Sequence, residues 1–407
     1  MTANGKTNKK VNLPGPSTQS VHMNRGKNPY HAVSYPVIQS ATYGFDDTAD
    51  LRQYMEKKIA GNCNGRVEYG RYGNPTIAEV EKRMAGLEGA EQAILFSSGM
   101  AAITNILLAL LPTGSHIVVT DDSYRRTREF TNNFLSRLGI GCTVVPMGEY
   151  QQMEEAIQPN TRLILSESPT NPYLRVLDLE RFGEIGKRHD LISIVDSTFA
   201  TPINIKPLEW GIDLVVHSAT KYLGGHNDLL AGVACGGVEL VSTLRNALNV
   251  FGAVSDPQNA ALLLRGLKTL GLRIQRQNES GMAMAEYLKQ HPLIEKVWYP
   301  GLPCHPDHKL AVQQMKGFGG VVSFTYKGDL EQTSKLIDSM RMPIIAPSFG
   351  GVETLIEQPA LISYFEYSSK ERSQIGISDN LVRFSLGIED TQDLIDDVAQ
   401  ALETINK

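Results

Sequence analysis

An apolar run of the chain ends in the sequence VVHSATKYLGGH, residues 215–226. The β-branched residues before Ser218 are typical of a buried strand. Lys221 follows this strand between hydroxyl-bearing residues, and Gly224 and Gly225 come soon after it. A lone lysine is usually a solvated surface charge, but this strand would carry Lys221 towards a buried crevice. Burial lowers the pKa of an amine below its usual value of about 10.4, and the amine then acts as a nucleophile or a base.

The same strand-like pattern recurs along residues 92–216. The β-branched runs lie at residues 92–96, 116–120, 141–145, 162–166, 191–195 and 212–216. Amphipathic, helix-like stretches between them lie at residues 101–111, 124–138 and 179–189. Strands that alternate with helices at this spacing predict an α/β fold, with a mostly parallel sheet covered by helices on both faces.

Polar or glycine-rich clusters follow the carboxyl ends of these strands. The clusters are Ser97–Gly99, Asp121–Tyr124, Glu167–Asn171, Asp196–Thr198 and His217–Lys221. In open α/β sheets, ligands bind just outside the carboxyl ends of the strands. We therefore expect the five clusters to meet in one crevice, with a chance scatter of polar loop residues as the alternative.

The pattern changes on either side of the sheet region, so the sequence predicts three parts. Residues 1–60 lack a strong period and contain four prolines, which favours an N-terminal arm that contacts a partner subunit. Residues 61–257 form the predicted sheet domain, and residues 258–407 a smaller α+β domain. The elements predicted for the last part are a long helix at 258–289, strands at 295–299, 319–324 and 381–384, and a final helix at 391–405.

Composition excludes several classes of protein. Of the 407 residues, 42% are hydrophobic and 20% are charged, as in ordinary globular proteins. The 39 Lys and Arg against 44 Asp and Glu give a net charge of −5, which argues against nucleic-acid binding. The longest apolar stretch, residues 101–111, is shorter than the roughly 20 residues of a membrane span. Residues 1–10 are expected to be a polar tail rather than a signal peptide, because no apolar segment follows them.

The cysteines give no sign of a metal or redox site. The four are Cys63, Cys142, Cys235 and Cys304, and none belongs to a CxxC pair. Free thiols suit a reducing compartment, so a cytoplasmic location is expected. Cys304 lies near His305 and His308 in a proline-rich loop, which is more typical of a surface turn than of a closed metal site. No metal is predicted.

Two other positions suggest the kind of ligand that the crevice binds. Asp196 ends an apolar run, and a buried carboxylate needs a cationic partner. A protonated pyridine nitrogen would be such a partner, whereas a helix N-cap or a structural salt bridge is the alternative. Ser98, Gly99 and Met100 precede the helix predicted at 101–111, and the free N–H groups of such a turn suit a phosphate. This second signal is weak on its own, because every strand-to-helix turn resembles it.

Several longer motifs together resemble one enzyme family. They are residues 69–76 (YGRYGNPT), 97–100 (SSGM), 168–172 (SPTNP), 218–226 (SATKYLGGH) and 383–389 (RFSLGIE). Over about residues 28–405 the chain resembles the pyridoxal-phosphate (PLP) enzymes of cysteine and methionine metabolism, the cystathionine γ-synthase and lyase group. Residues 345–351 and 121–128 make the plant-type synthases the nearest resemblance. The resemblance implies a type I PLP fold, similar to aspartate aminotransferase, whose mostly parallel sheet forms the large PLP-binding domain.

The resemblance also implies roles for matching residues. Lys221 would bind PLP covalently and, with Tyr124, would be catalytic. Asp196 would face the pyridine nitrogen, and Tyr124 would stack on the ring. The phosphate would be held by Ser98, Gly99, Met100, Ser218 and Thr220, completed by Tyr69 and Arg71 of a neighbouring subunit. The substrate carboxylate would be bound by Arg383, helped by Asn171 and Ser348. The family further implies a homotetramer built as a dimer of dimers, with shared active sites.

The reaction is the least determined part. The expected activity is γ-replacement, in which cysteine and an activated homoserine ester give cystathionine. The alternatives are a γ-lyase that releases ammonia and an α-keto acid from cystathionine, methionine or another Cγ-substituted amino acid, and a non-catalytic relative that binds PLP. Arg126 would add a guanidinium near Cγ and favour O-phosphohomoserine, unless it forms an interface salt bridge instead. Pro347 departs from the glutamate that many bacterial relatives have at this position.

Overall fold

The structure is a computed structural model that describes residues 14–24, 28–61 and 65–405. The polar tail predicted at residues 1–10 and the thiol of Cys63 lie outside these ranges. The helices are α1 Pro16–His22, α2 Thr48–Ile59, α3 Pro75–Glu88, α4 Gly99–Leu110, α5 Arg125–Glu129, α6 Tyr150–Glu155, α7 Leu179–Arg188, α8 Thr201–Asn204, α9 Val238–Phe251, α10 Pro257–Leu267, α11 Leu270–Gln290, α12 His308–Gln314, α13 Leu330–Ser339, α14 Ser369–Gln374 and α15 Thr391–Ile405.

The strands belong to two sheets. They are β1 Gln92–Phe96, β2 His116–Thr120, β3 Gly141–Val145, β4 Thr161–Glu167, β5 Ile192–Asp196, β6 Leu214–Ser218, β7 Gly232–Gly236, β8 Ile294–Trp298, β9 Val321–Tyr326, β10 Ile344–Ile345, β11 Leu355–Glu357 and β12 Leu381–Ser385. All nine predicted strands are present, with ends that shift by up to two residues.

The larger sheet has the strand order β1-β7-β6-β5-β4-β2-β3. β7 runs antiparallel to β1 and β6, and the remaining neighbours are parallel, so the mostly parallel sheet is confirmed. The sequence did not predict β7, because Gly232–Gly236 consists mainly of small residues. Their size is needed here, since a Cβ on Gly232 would lie 2.1 Å from the carbonyl oxygen of Ser98. The loop that begins α4 therefore rests directly on β7.

Alternate residues of the central strands pack into different cores. In β4, Leu163 and Leu165 join the core that contains residues of α4 and α9, whereas Ile164 joins a core with residues of α7. Both faces of the sheet are therefore covered by helices, as predicted for parallel strands.

The smaller sheet has the order β10-β11-β12-β9-β8 and is antiparallel except for the β10–β11 pair. Phe324 of β9 and Phe384 of β12 share one continuous core with Val80 and Met84 of α3. The predicted domain limits at 60/61 and 257/258 stay predictions, as does the contact of residues 1–60 with a partner subunit. Within this chain, Ser20 of α1 accepts a hydrogen bond from the N–H of Gly271 at 3.0 Å.

The long helix predicted at residues 258–289 is wrong, because the chain forms two helices, α10 and α11. Arg273 stabilises the break. Its guanidinium donates to the carbonyl of Gly266 at 2.9 Å and to that of Tyr222 at 2.7 Å, and its Nε donates to the Thr269 hydroxyl at 3.1 Å. A carbonyl at the end of α10 thus gains a partner that a continuous helix would not need. The helix predicted at 124–138 is likewise split, since α5 ends at Glu129 and is followed by a π-helical turn and a 3₁₀ turn.

Candidate active site

A cavity of about 390 Å³ lies at the carboxyl ends of β1, β2, β4, β5 and β6. Each of the five polar clusters found in the sequence contributes at least one residue to its wall. The predicted residues that line it are Ser98, Gly99, Met100, Tyr124, Asn171, Asp196, Ser218, Thr220, Lys221, Ser348 and Arg383. The loop at residues 347–349 and strands β11 and β12 close the cavity from the smaller sheet.

Lys221 lies in the turn after β6, with its amine inside the cavity. The Nζ atom donates a hydrogen bond to the Ser348 hydroxyl at 2.6 Å and lies 5.3 Å from the centre of the Phe349 ring. Burial, assisted by the positive charge of Arg383, lowers the pKa of Lys221 to about 8. An amine with this pKa exchanges protons readily near neutral pH.

Ser348 is held in a strained backbone conformation. Its φ angle is +96°, a value that residues other than glycine rarely adopt and that costs about 1–3 kcal/mol. Arg383 donates to the Ser348 carbonyl at 2.7 Å, so the same residue is tied both to this guanidinium and to Lys221. The strained residue therefore links the two cations of the cavity.

Asp196 ends β5 beneath the cavity. Its carboxylate accepts hydrogen bonds from the N–H and hydroxyl of Thr198. Burial raises its pKa, and the bonds from Thr198 oppose this. Among the described residues, no lysine or arginine forms an ion pair with Asp196, and α8 begins without a side-chain cap. The two structural alternatives, a helix N-cap and a salt bridge, are therefore not what the carboxylate forms here.

The start of α4 has the features of a phosphate site. Ser98 caps the helix by accepting from the N–H of Ala101 at 3.0 Å, while within the described chain the N–H groups of Gly99 and Met100 have no acceptor. A Cβ on Gly99 would lie 2.8 Å from the Cβ of Ser218, so glycine keeps the space above Ser218 open. Free N–H groups at a helix N-terminus attract phosphate. The residues of the cavity thus fit PLP, because, in the part of the chain that the structure describes, they offer free N–H groups for a phosphate, a buried carboxylate without an ion-pair partner and a buried amine.

Tyr124 stands at the mouth of the cavity, with 46% of its surface exposed. Its backbone N–H donates to a carboxylate oxygen of Glu167 at 2.7 Å. Burial, followed by the negative charge of Asp196 and Asp122, raises the pKa of Glu167 well above its usual value. Glu167 opened one of the polar clusters in the sequence, but no role was predicted for it.

Arg383 is buried in β12 and faces the cavity. It donates to the Asn171 side-chain oxygen at 3.1 Å and forms an ion pair with Glu357 of β11 at 3.0 Å. Burial lowers the pKa of Arg383, and Glu357 opposes this effect. Sequence reasoning missed Glu357, because it lies within an apolar strand and no motif marks it; only pairing of β11 with β12 brings it opposite Arg383.

Three predicted residues lie outside this cavity lining. Arg71 donates to the carbonyl of Asn249 and stacks its guanidinium at 5.5 Å from the ring of Tyr69. Arg126 forms an ion pair with Glu129 at 2.5 Å, and 52% of its side chain is exposed. The contribution of Tyr69 and Arg71 to a neighbouring subunit, and of Arg126 to substrate binding, stay predictions.

The described residues contain no group of three His, Cys, Asp or Glu side chains suited to a metal ion. Near the proline-rich loop, His305 contacts the carbonyl of Tyr173 and His308 contacts that of Pro300. Among the described residues, no helix is both long enough and apolar enough to cross a bilayer.

Known proteins are similar to this chain in sequence. The profile of the family described as Cys/Met metabolism PLP-dependent enzyme matches residues 17–403. "Cystathionine gamma-synthase 1, chloroplastic" from Arabidopsis thaliana is 50% identical over 92% of this chain and 66% of its own length. "L-methionine gamma-lyase" from Fusobacterium nucleatum is 39% identical over 96% of this chain and 98% of its own length.

A solved structure extends the likeness to three dimensions. The crystal structure of metB from Corynebacterium glutamicum superposes with a TM-score of 0.88 at 36% identity, covering 97% of this chain and 99% of that one. The predicted type I fold, with its large α/β part and smaller C-terminal sheet, and the predicted PLP cofactor are confirmed. The chain belongs to the Cys/Met metabolism family of PLP-dependent enzymes.

Proposed function

We propose that this enzyme joins cysteine to an activated homoserine ester, with O-phosphohomoserine favoured, and releases cystathionine. The observation that carries the proposal is the single cavity that Lys221, Tyr124 and Arg383 line together. Sequence identity supports a synthase, because the plant cystathionine γ-synthase described above is 50% identical to this chain and the methionine γ-lyase is 39% identical.

PLP, when bound, withdraws electrons from an attached amino acid, so that the protons on Cα and Cβ become acidic and a group on Cγ can leave. The residues that would hold it are Ser98, Gly99, Met100, Ser218 and Thr220 at the phosphate, Asp196 at the ring nitrogen, Tyr124 at the ring face and Lys221 at the aldehyde carbon. Tyr69 and Arg71 of a neighbouring subunit would complete the phosphate site.

Lys221 is the base in this proposal. With a pKa of about 8, its amine can take a proton from Cα and release it again without a large energetic penalty. The Ser348 hydroxyl, 2.6 Å from Nζ, directs the amine across the cavity. Tyr124 is the second proton carrier, since its hydroxyl can give a proton to a departing oxygen, and the phenolate that remains can take one from the incoming thiol.

Arg383 orients the substrate by its carboxylate, with Asn171 and Ser348 beside it. A guanidinium binds a carboxylate through two parallel hydrogen bonds, which fixes direction as well as position. Since Arg383 and Lys221 are linked through Ser348, a carboxylate held at the first residue keeps Cα near the second.

By resemblance to the plant-type enzymes, Arg126 would bind the phosphate that leaves from Cγ. Its ion pair with Glu129 is exposed and therefore weak, so a phosphate dianion can compete for the guanidinium. The same ion pair, outside the cavity lining, favours the second candidate, a γ-lyase that does not use a phosphate ester. Pro347 lies in the cavity wall and has no charge that could bind the leaving group of an ester.

The deciding experiment supplies the purified holoenzyme with O-phosphohomoserine, with and without cysteine. Formation of cystathionine that depends on cysteine supports the synthase. Release of α-ketobutyrate and ammonia at the same rate in both reactions, or from cystathionine or methionine but from no homoserine ester, supports the lyase.

We also propose that the enzyme works in the cytoplasm as a homotetramer, a dimer of dimers with shared sites. The free thiols of Cys142, Cys235 and Cys304 suit a reducing compartment. Sedimentation at several concentrations tests the assembly. Mixed oligomers of Arg71→Ala and Lys221→Ala chains test the shared site, because one hybrid site would contain both residues and regain activity.

A further inference from the structure

Arg383 and Glu357 form a buried ion pair inside a binding cavity. The two residues face each other across antiparallel strands β12 and β11, and their side chains are 5% and 3% exposed. Both line the cavity, and the pair has an N···O distance of 3.0 Å. Glu357 therefore lies against an N–H group of the guanidinium, inside the space where a ligand would bind.

The pair leaves hydrogen-bonding capacity unused. Arg383 Nε and Glu357 Oε2 are both buried and have no hydrogen-bond partner among the described residues. A buried arginine donor without an acceptor costs free energy, and such donors are rare in native proteins. A carboxylate ligand would supply the acceptor that Nε lacks.

Charge decides what must happen to Glu357 when such a ligand arrives. In the holoenzyme the amine of Lys221 would be bound to the cofactor, so Arg383 alone would face two carboxylates, and one negative charge would stay uncompensated in a buried site, which is strongly unfavourable. Burial already raises the pKa of Glu357, with Arg383 and Lys221 as the nearest charges that lower it. The other titratable groups near the guanidinium are Tyr124, Tyr222 and Tyr364. When Arg383 turns to a ligand, Glu357 loses its main stabilising charge.

We infer that Glu357 is the resident counter-ion of Arg383, and that it yields the guanidinium to the substrate carboxylate by taking up one proton from solvent. The inference rests on the role of Arg383 in the proposed function. One ion pair replaces another, one proton moves from water to a Glu357 oxygen, and the net charge of the cavity is unchanged. Glu357 is thus a positioning residue, which keeps Arg383 ordered in the free enzyme and couples carboxylate binding to pH.

The test uses butyrate, a carboxylate with four carbons and no amine, titrated calorimetrically into the holoenzyme. Measurements in two buffers with different heats of ionisation give the number of protons taken up on binding. Between about pH 6 and pH 9, the wild type should take up close to one proton per site at the pH where the effect peaks, and the dissociation constant should rise up to about tenfold per pH unit above it.

Glu357→Gln should abolish the uptake, flatten the pH profile and bind butyrate about tenfold more tightly at the alkaline end. Glu357→Asp retains a carboxylate and should retain the uptake. Glu79→Gln is the matched control, because Glu79 forms an ion pair with Arg83 that has the same 3.0 Å distance and the same exposure outside the cavity. Its uptake should equal that of the wild type.

Two outcomes overturn the inference: no proton uptake by the wild type anywhere in this range, or the same uptake in Glu357→Gln. Arg383→Gln separates this failure from a failure of the proposed function. If Arg383→Gln loses butyrate binding while the wild type takes up no proton, only the role of Glu357 is wrong. If Arg383→Gln binds butyrate as the wild type does, the assignment of Arg383 in the proposed function is wrong as well.

Discussion

The Arg83–Glu79 pair of α3 and the Arg383–Glu357 pair of the smaller sheet look alike by simple measures. Each has an N···O distance of 3.0 Å, with arginine 5% and glutamate 3% exposed. They differ in their surroundings. Arg83 also donates to the carbonyl of Val21 at 3.1 Å, whereas Arg383, beside a cavity, has a buried Nε with no acceptor in the described part of the chain. Distance and burial are thus the same for the two pairs, and they differ in their unfilled hydrogen-bonding positions and in the cavity beside Arg383.

The largest effect is expected when the amine of Lys221, which lies near the Arg383–Glu357 pair, is removed. Lys221→Ala should reduce turnover by more than about 10⁴-fold, because the amine serves more than one proton transfer and also binds the cofactor. The fold should survive, as judged by circular dichroism, while the absorption band of lysine-bound PLP disappears. Lys187→Ala, at an exposed position of α7, is the control. Retention of a few per cent of the wild-type activity would contradict the assignment.

Replacing each arginine by alanine tests most directly whether the two ion pairs differ in function. Arg383→Ala should lower kcat/KM for the amino-acid substrate by about 30- to 5,000-fold, as expected for loss of a buried charged contact of about 2–5 kcal/mol. Arg83→Ala should leave kcat/KM nearly unchanged but lower the free energy of unfolding by about 3–5 kcal/mol, since it strands a buried carboxylate. Steady-state kinetics and urea unfolding of both variants check this. Equal kinetic losses would mean that the two pairs do not differ in function.

A pH profile of stability sharpens the contrast further. In the cofactor-free chain, Lys221 has a pKa of about 8, below the ordinary 10.5. Between these values the unfolded chain holds a proton that the folded chain lacks, so the free energy of unfolding rises with pH across the window. Below about pH 8 both states are protonated and the full destabilisation remains. Lys221→Met should therefore stabilise the cofactor-free chain by about 3 kcal/mol below this pH, with the gain vanishing above about pH 10.5.

Urea unfolding at several pH values measures this difference. Lys187→Met is the matched control and should give a pH-independent offset from the wild type. A difference in the free energy of unfolding between Lys221→Met and the wild type that does not change with pH would show that burial does not lower the pKa of Lys221.

The smallest effect concerns an exposed ion pair. Arg126→Ala should reduce kcat/KM for O-phosphohomoserine by about 10- to 150-fold, equivalent to about 1.5–3 kcal/mol, and change O-acetyl- and O-succinylhomoserine much less. Competition assays with the three esters measure this selectivity, and Arg137→Ala is a control for a general loss of positive charge. Equal losses with all three esters would mark Arg126 as a structural residue bound to Glu129.

Sequence patterns predicted six of the seven strands of the large sheet, because these six strands carry apolar, mostly β-branched runs and five of them are followed by polar residues. They missed β7, β10 and β11 for physical reasons. In β7, Gly232 lies against the carbonyl of Ser98 before α4 and the strand is built mainly of small residues, which have low strand propensity. The residues of β10, Ile344–Ile345, and of β11, Leu355–Glu357, are too few to form a pattern.

The candidate site was predictable to the same extent. Lys221, Asp196 and Arg383 follow from their strands and motifs. Glu357 could not be predicted, because its importance arises from cross-strand pairing with Arg383, and a single glutamate in an apolar run gives no indication of its partner. The ion pair of Arg126 with Glu129 likewise depends on side-chain orientation in α5.

Arg273 has a consequence for the motions of the enzyme. Its guanidinium fastens the carbonyl of Tyr222, next to the reactive lysine, to the junction of α10 and α11, and Gly225 leaves room for it. Segments joined by a buried guanidinium cannot open one at a time without leaving donors unpaired. The amides around Tyr222 and those around Leu267 should therefore exchange with deuterium as one cooperative unit, so that loosening the junction of α10 and α11 also loosens the turn that contains Lys221.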